Sequence, residues 1–326
     1  MKKITAIFLV LTFALSLFCA CAKDNEPERA TDSSAASGEK RLSVVCSIFP
    51  QYDFVREITG NQIELELLLK SKVDLHSYKP NAQDILKIKN CDLFIDVGGE
   101  SDKWADDVLS TLGDEAPQVL SLIDTVEAKE EKEIEGAEEE HEHEEGEEHE
   151  KELDEHVWTS LRNAQTIVSA IEKKLCALDK RNAEKYKENA SAYIEKLSAL
   201  EKRYSETISG AAQKVLVFAD RFPFRYLADD YSLECFAAFA GCSAETQASF
   251  ETIAFLSEKV KENGLKYVLK IDGSDGAVAE TVADRSVAKI KTLNSCQSVS
   301  QEEIENGVTY LSIMEENLAV LGEVLK

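Results

Sequence analysis

Positive charge is scarce in this 326-residue chain: 37 Lys and Arg stand against 62 Asp and Glu, a formal net charge of −25. A surface of that sign repels phosphate backbones, which excludes nucleic acid as a partner. No two cysteines are spaced as CxxC, so no thiolate metal motif is written in the sequence. The long apolar run at 4–18 is too short to cross a bilayer comfortably. Histidine is rare as well. The five fall in two stretches, one holding His76 and the other His141, His143, His149 and His156.

What is present begins with an export signal. Lys2 and Lys3 precede the apolar run, and small Ala20 precedes Cys21. A cysteine just after a small residue at the cleavage point looks like a bacterial lipoprotein box, with Cys21 as the lipidated first residue of the mature chain. Residues 22–40 are rich in Ser, Ala, Glu and Asp without an apolar period, and read as a flexible tether. More than half of the net negative charge lies in 127–155, so the acidity is largely one insertion. Of the remaining cysteines, Cys242 and Cys296 lie in polar, loop-like surroundings, and an exported chain permits a disulfide between them.

From residue 41 strands and helices alternate. Strand candidates at 42–48, 63–69, 91–97 and 118–122 are separated by helical spacing at 52–58, 81–90 and 102–112. After the acidic insertion come two helices, 160–177 and 182–209, the second with no Gly or Pro. The alternation then resumes with strands at 214–219, 233–238, 267–271 and 289–293, and a last helix after Ser300 and Glu303. Buried strands separated by helices predict mostly parallel sheets in two α/β lobes. The uninterrupted helix between them reads as a rigid strut.

Ligands of open α/β sheets bind at loops leaving the carboxyl ends of strands. His76 lies in such a loop, His156 sits before a helix in DEHVWTS, and Asp220 and Asp272 each follow a strand. Two imidazoles and two carboxylates converging between facing lobes suit a divalent first-row metal. With all four positions filled by protein, such a site binds and does not catalyse.

Six segments carry a resemblance over nearly the whole mature chain: VVCSIFPQYDFVREITG, DLHSYKPNAQDI, DLFIDVGGESDKW, DEHVWTSLRNA, DRFPFRYLADDYSL and ETIAFLSEKVKENG. Together they resemble the metal-specific solute-binding lipoproteins of bacterial ABC importers, the zinc-uptake and manganese-uptake binding proteins. The resemblance implies two Rossmann-like lobes with parallel sheets joined by one long rigid helix, and a metal in the inter-lobe cleft. It implies His76 and His156 as the first two ligands, although Leu75 and Glu155 stand where many members have proline. The third ligand position falls on Arg221, whose guanidinium cannot ligate. Asp220, one residue earlier, is the nearest donor, and Asp272 matches the fourth.

The same resemblance implies extracytoplasmic capture of Zn2+, lipid anchoring to the membrane, delivery to an ABC permease with its ATPase, and a monomer with no enzymatic activity. A His- and acid-rich insertion is typical of the zinc members, which makes His141, His143 and His149 accessory ligands. The carboxylate-rich donor set points instead to Mn2+, or to iron, and the insertion is given the greater weight. A surface adhesin and a metallohydrolase are the other classes carried. The expected organisation is a signal peptide at 1–21, a tether at 22–40, a lobe at 41–181 that includes the loop 127–155, a linking helix at 182–209 and a second lobe at 210–326.

Overall fold

The computed structural model describes residues 40–70, 74–131, 134–135, 153–243 and 247–326. The expectations placed on 1–39, Cys21 among them, and on His141, His143 and His149 fall outside the described residues.

The first lobe is built on β1 (Ser43–Cys46), α1 (Phe49–Thr59), β2 (Glu64–Leu67), α2 (Ala82–Asn90), β3 (Leu93–Asp96), α3 (Lys103–Leu112) and β4 (Gln118–Ser121). Its four strands pair in parallel in the order β2-β1-β3-β4. The central strand β3, LFID, is buried throughout because the sheet is covered on both faces, whereas edge strand β2 turns Glu64 and Glu66 outward. Helix α1 starts earlier than its apolar spacing predicts. Pro50 is tolerated in the first turn, and the Gln51 side chain accepts the amides of Ser47 and Ile48 at 2.9 and 3.2 Å.

Two helices follow, α4 (Leu161–Leu178) and α5 (Ala183–Ser209). Ser160 caps the first by accepting the amides of Arg162 and Asn163. The second buries Tyr186, Ala190, Tyr193, Leu197, Leu200, Tyr204 and Ile208, one stripe at three- and four-residue steps.

The second lobe repeats the first with β5 (Val215–Arg221), α6 (Arg225–Tyr231), β6 (Glu234–Phe239), α7 (Phe250–Glu262), β7 (Tyr267–Ile271), α8 (Ala277–Ser286) and β8 (Lys289–Leu293). Its parallel order, β6-β5-β7-β8, is that of the first lobe. The expected single last helix is two, α9 (Gln301–Glu305) and α10 (Tyr310–Val324). The chain breaks at Asn306 and Gly307, and Thr309 caps afresh by accepting the Ser312 amide at 2.9 Å.

Although α10 follows the second lobe in the chain, it packs on α1 and α5. The Tyr310 ring meets Phe54 edge-on at 4.9 Å, its amide donates to Asp53 Oδ2 at 2.7 Å, and its hydroxyl donates to the Trp158 carbonyl at 2.6 Å. Trp158 Nε1 in turn donates to the Ser295 carbonyl at 2.8 Å, beyond β8. One continuous apolar cluster therefore runs from Val44 through Trp158 and α5 to Leu293 and Leu321. The segment after residue 153 is fixed from both lobes.

Tyr310→Phe strips the hydroxyl from a fully buried contact and leaves the Trp158 carbonyl without that donor. We expect a loss of about 1–3 kcal/mol in equilibrium urea unfolding. A midpoint equal to wild type would remove this bond from the frame.

Candidate metal centre

The same three-residue pattern, Asp-x-His, builds both histidine positions. In Asp74-Leu75-His76, an Asp74 oxygen accepts the His76 amide at 2.9 Å and starts a single 3₁₀ turn, Leu75–Ser77. In Asp154-Glu155-His156, Asp154 Oδ1 accepts the His156 amide at 2.9 Å, ahead of the turn Val157–Thr159. A short aspartate reaching two residues on is an Asx turn, and it sets the backbone that aims each imidazole.

Asp154 acts twice, since its Oδ1 also lies 3.1 Å from His156 Nδ1. A carboxylate only accepts, so His156 carries its proton on Nδ1 and turns Nε2 away as a lone pair. His76 Nδ1 lies 2.5 Å from Ser101 Oγ. The two Nε2 atoms face each other at 3.3 Å. Two lone pairs at that distance repel, so either a proton or a cation lies between them. In the metal-free chain His76 supplies the proton from Nε2, with the Ser101 hydroxyl donating to Nδ1. Serine can reverse its bond, so His76 can move the proton to Nδ1 and free both Nε2 lone pairs. Two imidazole nitrogens held about 2.0–2.1 Å from one tetrahedral ion stand about 3.3 Å apart, the spacing seen here.

Ser101 is positioned by Glu155. Glu155 Oε1 accepts the Ser101 amide at 2.8 Å, and the tight turn at Gly99, φ 87°, leaves no room for a side chain: a Cβ there would lie 2.6 Å from that oxygen. The residue between Asp154 and His156 thus steers the His76 partner. Glu155 is buried, its Oε2 has no hydrogen-bond partner among the described residues, and burial raises its pKa. Burial also lowers the His76 pKa, assisted by the neighbouring His156 and opposed by Asp74. His76 is therefore neutral at pH 7 and ligates with no net loss of a proton, only its transfer from Nε2 to Nδ1.

Of the two expected carboxylates, Asp272 follows β7 as predicted, whereas Asp220 is placed differently. Asp220 lies within β5 and not after it, and both its oxygens accept backbone amides, from Arg221 at 2.9 Å and from Ile271 at 3.2 Å. It joins β5 to β7 where their backbone pairing is reduced to Phe218 opposite Leu269. Asp272 Oδ1 accepts the Ser295 amide at 2.6 Å. Both line a cavity of about 410 Å³ together with His76, Asp74 and Arg221. Arg221 forms an ion pair with Asp74 and donates from Nη1 to the Ser243 carbonyl at 3.2 Å, which ties the His76 loop to the second lobe. That pair holds the Asp74 carboxyl below its ordinary value despite burial, which acts to raise it.

The side chain that does join the imidazoles is one the sequence did not single out as a ligand. One donor atom each from His76, His156 and Cys242 lie within 4.8 Å of one another. The disulfide expected between Cys242 and Cys296 is absent: both are free thiols. Cys296 is buried, with its thiol directed to the Asn294 carbonyl at 3.8 Å, while Cys242 stands at the histidine pair.

Residues 44–324 match the family model described as zinc-uptake complex component A, periplasmic. The chain is 33% identical over 302 residues to the zinc-binding lipoprotein AdcA of Streptococcus pneumoniae, covering 89% of this chain but 57% of that protein. It is 31% identical over 327 residues to the high-affinity zinc uptake system protein ZnuA of Bacillus subtilis, covering 99% and 98% of the two chains. The crystal structure of the Zn(II)-bound ZnuA-like domain of the pneumococcal AdcA superposes with a TM-score of 0.71 at 30% identity, covering 87% of this chain and 99% of that one.

Asp154→Asn keeps the size and an acceptor for the His156 amide but removes the charge that orients the imidazole. Affinity for a divalent metal, read by competition with a chelator, should fall roughly 10–100-fold. Unchanged affinity would mean that Asp154 is only a turn residue.

Proposed function

We infer the function from one premise: this chain belongs to the zinc-uptake complex component A family. It captures Zn2+ outside the cytoplasm between His76 and His156 and hands the ion to an ABC permease driven by its ATPase. The observation that carries this reading is the pair of facing Nε2 atoms at 3.3 Å, each ring held from its Nδ1 side before any metal arrives. Zinc is the cargo of the protein, held by exchangeable side-chain donors and released unchanged.

Asp220 and Asp272 serve as the acidic wall of the cavity beside His76, drawing a cation in, while their oxygens secure the backbone. The acidic insertion with His141, His143 and His149 collects zinc loosely. Its base is clipped by the antiparallel bridge Glu130–Leu153 and by the Asp154 amide, which donates to the Lys129 carbonyl at 2.8 Å. The insertion therefore rejoins the body three residues before His156. The lipid on Cys21 keeps the protein beside its permease, and it works as a monomer.

Calorimetric titration of residues 38–326 with zinc and with manganese, each against a competing chelator, tests the reading. One tight zinc site is expected, weakened about a hundredfold or more by His76→Ala or His156→Ala, since a ligand matters more than an orienting partner. Manganese that competes on equal terms would overturn the zinc assignment. Tight zinc binding retained in both variants would move the site elsewhere.

A further inference from the structure

The family position expected to supply a third ligand is occupied by Arg221, whose guanidinium is bound to Asp74 and to the Ser243 carbonyl. A cation held by two imidazoles alone would be weakly held. We propose that Cys242 is the third protein ligand, binding as a thiolate to the metal held by His76 and His156, and that it selects zinc over manganese. The proposal rests on the zinc-capture reading and goes beyond it in naming the donor.

Three observations support it. The first is proximity: the Cys242 sulfur and the two imidazoles offer donor atoms within 4.8 Å of one another. An ideal Zn–S distance of about 2.3 Å and Zn–N of about 2.0–2.1 Å require N to S separations of about 3.6 Å, which a small side-chain adjustment supplies. The second is a backbone built for that approach. A Cβ on Gly241 would lie 2.9 Å from the Phe222 carbonyl and 3.2 Å from His156 Cε1, so only glycine lets the loop after β6 press against the imidazole. The loop is held there by Glu131, which accepts the Cys242 amide at 3.2 Å, and by Arg221 on the next carbonyl. Arg221 is thus a positioning residue for the ligand that replaces it.

The third is that this thiol is free. Cys242 is not disulfide-bonded, so its sulfur is available as a donor. The thiol ligates as an arriving cation displaces its proton to solvent. Thiolate is a soft donor that favours zinc and disfavours manganese, which prefers oxygen ligands. The cavity wall with Asp220 and Asp272 accordingly need not decide the metal.

Cobalt(II) chloride added to residues 38–326 reads the donor directly, because a thiolate on cobalt gives a near-ultraviolet charge-transfer band that nitrogen and oxygen donors do not. The band should appear in the wild-type chain, saturate at one equivalent and be reversed by zinc. It should vanish in Cys242→Ser, with zinc affinity falling by more than the roughly 10–100-fold cost of losing an orienting partner. Cys242→His should keep tight zinc binding without the band. Tight cobalt binding by the wild type with no such band overturns the thiolate ligand and leaves zinc capture standing. Failure of the wild type to bind either metal tightly overturns both.

Discussion

Two imidazole nitrogens that face each other at 3.3 Å set the terms for the rest of this structure. Such a pair is unfavourable without something positive between the nitrogens, and a chain that holds it in place has already met part of the ordering cost of metal binding. The network behind the pair explains how it is held. Asp154 fixes one ring, Ser101 the other, and Glu155 joins the two by accepting the Ser101 amide. These residues sit on short turns, so their precision comes from what the turns are fastened to.

That fastening is the shared core. Tyr226 donates its hydroxyl to the Asp154 carbonyl at 2.7 Å, Trp158 donates to Ser295, and Tyr310 closes on the Trp158 carbonyl from α10. Each bond joins segments distant in sequence, and each is buried, where an unmatched polar group is costly. The site therefore belongs to both lobes at once. Neither the first sheet nor the second could position His156 alone, and the return of α10 to α1 gives the two lobes a common floor.

Much of this was legible in the sequence, for identifiable reasons. Parallel strands buried on both faces write themselves as short apolar runs between amphipathic helices, so the two lobes and the long α5 could be read directly. His76 and His156 were singled out by their places after a strand and before a helix and by the family resemblance, and the structure brings their Nε2 atoms to 3.3 Å. Asp220 was expected just after its strand and lies within it, because its oxygens accept the Arg221 and Ile271 amides, a tie to β7 that no local spacing encodes. Cys242 was not legible as a neighbour of the imidazoles, since nothing around it resembles a metal motif. Its position follows from the close approach of Gly241 to His156, a contact between lobes that no local spacing encodes. The early start of α1 and the break before α10 were missed for a smaller reason: Pro50 is allowed in a first turn, and Thr309 makes a new cap immediately after a stop.

Nitrogen-15 NMR of the two imidazoles, in the metal-free chain and at one equivalent of zinc, reads which ring nitrogens carry protons and which bind the ion. His156 should be protonated at Nδ1 throughout, and His76 should carry its proton on Nε2 without zinc. One equivalent of zinc should move that proton to Nδ1 and bring both Nε2 signals to metal-bound values together. Zinc bound through either Nδ1, or histidine signals unmoved at one equivalent, would contradict this arrangement.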